Sequence, residues 1–223
     1  MKIPSNAQVR LDPYLSFNGV VKVMLTSSAK EREALIHDYK YPEPEGKAKG
    51  YYYGITRDII RKYHAFENDH IVVDTCLNSI QALYKGASDA KMSKLDNNIR
   101  ATCSYMTHFG DRKYLPLEAP KITVEYEGVS LNLHPDFLAT EGKRTRIARY
   151  AFSQKGATDK EIQYSLQLLA FYAREAGIEV QNSDCQLLIV ADGTTKNLSG
   201  ISQRFEPSLK SAMREVRRTW ADI

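Results

Sequence analysis

With 223 residues, 43% of them hydrophobic and 26% charged, the chain has the length and composition of one soluble globular domain, or of one domain with a helical extension. A net charge of +4 permits a nucleic-acid partner without demanding one, so the distribution of charge is the informative quantity. Three scattered cysteines, Cys76, Cys103 and Cys185, form no CxxC pair and argue against a disulfide framework or a structural zinc site.

In chain order, the N-terminal MKIPSNAQVRLD has no apolar leader segment, and no later run approaches the roughly 18 apolar residues of a membrane span. A cytoplasmic protein with no membrane partner is therefore expected. YLSFNGVVKVML (14–25) reads as a strand or a short buried segment, and SAKEREALIHDYK (28–40) as a short helix with a serine cap. YPEPEGKAKG (41–50) is the strongest loop signal. Three helices follow. YYYGITRDIIRKYHAF (51–66) is helical in its second half, DHIVVDTCLNSIQALYKG (69–86) stops at Gly86, and SKLDNNIRATCSYMTHFG (93–110) stops at Gly110.

The texture changes after residue 120. KITVEYEG (121–128) alternates with period two and ends in a tight turn at Glu127-Gly128. VSLNLHPDFLA (129–139) and TRIARYAFS (145–153) read as two further strands of an antiparallel meander. TDKEIQYSLQLLAFYAREAG (158–177) is the clearest helix, with Thr158 and Glu161 as a capping box and Ile162, Leu166, Leu169, Ala173 and Ala176 as an apolar stripe. CQLLIVAD (185–192) is a buried strand, and FEPSLKSAMREVRRTWADI (205–223) an amphipathic helix. The order predicts an α+β domain with an α/β-type core and a mixed sheet. A mainly helical region over 1–120 is expected to pack on a core over 121–223 as one compact unit.

Within HPDFLATEGKRTRIARYAFSQKG (134–156), an aspartate, Asp136, precedes a turn and a second alternating run. Over roughly residues 121–195, about a third of the chain, this half resembles the core of the PD-(D/E)XK nucleases. The likeness is greatest to the RecB-type exonuclease branch, which includes CRISPR-associated RecB-like exonucleases. In that family a strand ends in an aspartate, a hairpin leads to a strand bearing (D/E)-x-K, a helix with Q-x-x-x-Y follows, and then another strand. Asp136 falls at the aspartate position and Gln167 at the glutamine, with Phe171 where the tyrosine is usual. The resemblance implies a restriction-endonuclease-like mixed sheet flanked by helices. If the chain is active, it implies Mg²⁺ or Mn²⁺ on Asp136, with Gln167 and Lys155 as further catalytic residues.

Such chemistry needs two hard carboxylate ligands and a lysine on one strand face. The corresponding positions here hold Arg149 and Ala151, and residues 142–158 contain no Asp or Glu, so no small slip of register restores the motif. An arginine on the face of Asp136 would pair with it where the metal would sit. The expectation is a pseudo-enzyme that needs no cofactor. Migrated residues are the alternative: Lys155 for the lysine, and Glu161, Glu125 or Glu127 for the carboxylate.

Two basic stretches are candidate nucleic-acid contacts: Lys143, Arg144, Arg146 and Arg149, and, on the terminal helix, Lys210, Arg214, Arg217 and Arg218. The competing reading is a solvated hairpin tip and helix face. Three functions stay open: a nuclease-fold protein that binds nucleic acid (DNA ahead of RNA) or serves as a non-catalytic subunit in phage or CRISPR-type machinery; an active Mg²⁺- or Mn²⁺-dependent DNA exonuclease; and a protein-interaction or structural component.

Overall fold

The computed structural model describes residues 9–42, 52–152 and 157–223. The fold is α+β, with helices concentrated in the N-terminal half and strands arranged in two mixed sheets. Among the described residues, no helix is long and apolar enough to cross a membrane.

The segment 14–25 divides between a short strand, β1 (Tyr14–Ser16), and a helix, α1 (Phe17–Leu25), whose N-terminus is capped by the Ser16 hydroxyl accepting from the Gly19 N–H at 3.3 Å. Helix α1 buries Phe17, Gly19, Val20, Val21, Val23 and Met24. Its exposed face carries only Asn18 and Lys22, four apart, and nine residues rich in β-branched valine do not separate this helix from a strand by sequence. Helix α2 (Ala29–Lys40) begins at its predicted serine cap, Ser28. Helices α3 (Gly54–Ala65), α4 (His70–Ala82) and α5 (Asp89–Phe109) follow, α5 starting earlier than its apolar periodicity shows. Most of the predicted loop at 41–50 lies outside the described residues.

The expected three-strand meander is instead shared between two sheets. β3 (Ile122–Tyr126) and β4 (Val129–Leu133) form a hairpin around Glu127-Gly128, both with positive φ, and β1 adds to β4 in parallel. The run read as one strand over 129–139 breaks at His134-Pro135-Asp136. Proline has no N–H to give to a ladder, so the chain leaves the first sheet there. It re-enters the second as β5 (Phe137–Glu141), which pairs antiparallel with β6 (Arg144–Ala151). Helix α6 (Asp159–Glu175) then carries the chain to β7 (Cys185–Ile189), parallel to β6. Two short edge strands that the sequence did not reveal, β2 (Tyr114–Pro116) and β8 (Thr194–Asn197), complete the order β2-β5-β6-β7-β8. Helix α7 (Phe205–Asp222) closes the chain.

Strand alternation sends the two faces of the five-stranded sheet into different cores. Ile147, Leu138, Leu187 and Ile189 join α1, α6, α7 and the three-stranded sheet in the largest apolar cluster. Ala148, Tyr150, Phe137 and Leu188 face the other way, onto Ile60 of α3 and Tyr105 and Phe109 of α5. Helix α4 packs outside α3 and α5. Both cores that flank this sheet therefore draw on residues from either side of position 120.

The second core contains a buried histidine. The Asn68 side-chain nitrogen donates to the carbonyls of Gly110 and Arg112, which leaves its Oδ1 to accept at 2.8 Å from His64 Nδ1. His64 Nε2 is then the unprotonated nitrogen and accepts from the Tyr105 hydroxyl at 2.8 Å. Burial pushes the His64 pKa down, with the Asn68 hydrogen bond opposing. As pH falls below about 6.5, the unfolded chain takes up a proton on this residue before the folded one does. Stability held above that pH is lost on acidification toward the folded value. His134, also pushed down by burial, contributes in the same direction. Urea unfolding should therefore give a lower midpoint at pH 5.5 than at about pH 7.5, and His64→Gln, itself less stable, should show a smaller difference between the two.

Candidate functional site

Asp136 sits at the start of β5, where the chain passes from one sheet to the other. Its N–H donates to the Ala148 carbonyl at 3.0 Å, extending the β5–β6 pairing by one step. Since Phe137 pairs with Ala148, Asp136 comes opposite Arg149, a cross-strand placement that favours opposite charges. The carboxylate is engaged on both oxygens. Oδ2 accepts the Tyr150 N–H at 2.9 Å and lies 3.4 Å from Arg149 Nε, while Oδ1 lies 2.9 Å from Arg57 Nε. The ion pair expected between Arg149 and Asp136 is thus present, and a second arginine, from α3, joins it.

The two arginines differ in what they leave free. Arg149 is almost fully used: Nη1 donates to the His134 carbonyl at 3.1 Å, Nη2 to Asn18 Oδ1 at 2.6 Å, and the guanidinium lies 4.3 Å above the Phe17 ring. Burial lowers its pKa, Asp136 opposes this, and Arg57 adds to the lowering. Arg57 touches the carboxylate with Nε only. That contact is an ion pair outside hydrogen-bond geometry, so the buried Nε has no hydrogen-bond partner among the described residues; the guanidinium lies 5.4 Å from the Phe152 ring. Arg57 lines two clefts, one of about 220 Å³ with Lys22, Arg149 and Glu161, and one of about 370 Å³ with Asn18, Asp58 and His134.

The other site candidates scatter. Gln167 is 4% exposed, so it is not polar surface; it donates to the Gly200 carbonyl at 2.9 Å and accepts the Ser202 N–H at 3.1 Å, which ties α6 to the loop before α7. Lys155 lies outside the described residues. The cap at Thr158 is one-sided: its hydroxyl accepts the Glu161 N–H at 3.2 Å, while the Glu161 side chain lines the smaller cleft. Glu127 is paired with Lys210 at 3.2 Å and Arg214 at 2.8 Å, and Glu125 bonds the Ser130 hydroxyl.

The basic run 143–149 is not one patch. Arg146 and Arg149 are an odd number of positions apart on β6 and point to opposite faces. Arg144 and Arg146 both pair with the buried Asp184, and Arg146 also pairs with Glu141 at 2.9 Å. Lys143 is exposed at the hairpin tip. On α7, Arg217 lies over Gly128, where a Cβ would come within 2.9 Å of it, and Arg218 is exposed. Sequence reasoning missed Arg57, whose only signal was a charged position on the polar side of a helix.

The donor set around Asp136 does not suit a divalent cation. A metal ion bound there would have to displace two guanidinium groups and sit beside their charges. Among the described residues, no three His, Cys, Asp or Glu side chains gather into a group. Compared with protein-family models and with curated proteins, the chain finds no match in either.

Removing the carboxylate leaves two mostly buried cations uncompensated. Asp136→Ala is expected to lower the unfolding free energy by about 3–5 kcal/mol. Lys143→Ala, at the exposed tip, should change it by less than about 0.5 kcal/mol. Chemical denaturation of the two variants beside the parent checks both.

Proposed function

We propose that the chain is a cytoplasmic nuclease-fold protein without the standard metal-dependent catalysis, and that it binds nucleic acid, DNA ahead of RNA, alone or as a non-catalytic subunit of a nucleic-acid-processing complex. The element order supports the fold reading: the β5–β6 hairpin, then α6, then β7 parallel to β6. The observation that carries the functional reading is the Arg57–Asp136–Arg149 cluster. It puts fixed positive charge where the resemblance would put a metal ion, and it needs no cofactor to do so.

The ion pair of Arg57 with Asp136 is made on the Nε side and leaves the Nη1/Nη2 edge for a ligand. That edge matches two oxygens of a phosphate. Lys22 and Arg149 on the wall of the same cleft add to the positive potential. Contacts of this kind hold a sugar–phosphate backbone without reading its sequence.

Fluorescence anisotropy with single- and double-stranded DNA and RNA at two salt concentrations tests this. Binding should weaken with salt. Arg57→Ala should weaken it further and reduce the slope of log K against log salt by about 1. Arg57→Lys should recover the slope more than the affinity, because it restores the charge without the fork. Absence of salt-sensitive binding to all four ligands, or metal-dependent cleavage abolished by Asp136→Ala, would overturn the proposal.

A further inference from the structure

Phe152, which lines the smaller Arg57 cleft, also lines a second cavity of about 340 Å³ with Tyr53, Asn97, Arg100, Ser104 and Ala191. The Tyr53 and Phe152 rings are stacked, with centroids 4.7 Å apart and planes 29° from parallel. Phe152 is therefore covered on one side by Tyr53 and contacted by the Arg57 guanidinium at 5.4 Å. Tyr53 is half-buried and also meets the Tyr52 ring at a steep angle, with centroids 5.0 Å apart and planes 69° from parallel. Its position is fixed from below: it immediately precedes α3, and the neighbouring Tyr52 is held by Asn97 Nδ2 to its hydroxyl at 2.7 Å and by Asn98 Nδ2 to its carbonyl at 2.8 Å. Arg100 is exposed and oriented by Asn97 Oδ1 at 3.2 Å.

We propose that this cavity takes an unpaired nucleobase, stacked on Tyr53, of a single strand whose backbone runs past Arg100 on one side and Arg57 on the other. The inference rests on the nucleic-acid reading above and deepens it by naming the strand class and the base-contacting residue. A stacked aromatic pair with Arg100 in the cavity wall and Arg57 against Phe152 combines the two features that bind single strands without sequence preference: a π-surface for any base and positive charge for the backbone. A base inside a duplex is stacked on both faces and has none to offer such a platform. Filling by a protein side chain would need no cation on either flank.

The test uses the full chain, a short mixed-sequence DNA strand, its duplex, and the same strand carrying a fluorescent adenine analogue that is quenched on stacking. The parent should prefer the single strand and quench the analogue. Tyr53→Leu should weaken single-strand binding about tenfold, leave duplex binding nearly unchanged and abolish the quenching. Tyr53→Phe should behave like the parent. Arg100→Glu, at an exposed position, should also weaken the single strand selectively, and it serves if Tyr53→Leu does not fold by circular dichroism. Salt-sensitive binding with undiminished single-strand affinity and quenching in both Tyr53→Leu and Arg100→Glu overturns this inference and leaves the broader reading standing, as does a preference for duplex. If the parent binds neither form of DNA, nor RNA, both fall together.

Discussion

One carboxylate shared by two guanidinium groups joins the separate parts of this fold. Asp136 lies at the crossing between the two sheets; Arg149 and the Tyr150 N–H bring it to β6, Arg57 brings it to α3, and Asn18 of α1 holds the outer end of Arg149. At an effective dielectric near 20, a contact of about 3 Å between opposite charges is worth roughly 5 kcal/mol before desolvation is subtracted. The guanidiniums approach different oxygens, and at Arg149 the pull of Asp136 exceeds the push of Arg57. Attraction therefore outweighs their mutual repulsion only while the aspartate is present and ionised. The aspartate is a structural requirement here, whatever else binds nearby.

That arrangement also shows which parts of a sequence reveal their structure. The β3–β4 hairpin was legible because period-two alternation met a Glu127-Gly128 turn, and α6 because a threonine cap met an apolar stripe. Each signal is local. The change of sheet at Pro135 was hidden because the apolar alternation runs on through it, from Leu133 to Phe137, and only the missing proline N–H marked the break. Helix α1 was ambiguous because two polar positions, Asn18 and Lys22, are all that mark its outer face, and its valines favour a strand equally.

Side-chain partnerships were legible only where the strand pattern itself imposed them. Arg149 could be placed on Asp136 from face and register, since both stand in one hairpin. Arg57 could not, because nothing in a helical stretch of the N-terminal half states which carboxylate it meets. The basic run 143–149 misled in the same way. It contains no acid, yet folding brings Asp184 and Glu141 against it and the pleat divides its arginines between two faces. A count of charges along a chain measures a potential only after the long-range pairs have been subtracted.

Under the proposed reading, the difference between a metal ion and an arginine at this position is a difference in what can be done to a phosphate. A bound divalent cation polarises the ester and lowers the pKa of a coordinated water, so it both holds and activates. A guanidinium donates directional hydrogen bonds and stays protonated far above neutral pH, so it holds without supplying a nucleophile. Replacing the ion by Arg57 and Arg149 keeps the attraction for an anion and removes the hydroxide source. The same substitution frees the neighbouring surface from the need to position a scissile bond. What remains to be selected is the form of the strand, and on the further inference that selection falls to the stacked Tyr53–Phe152 pair of the neighbouring cavity.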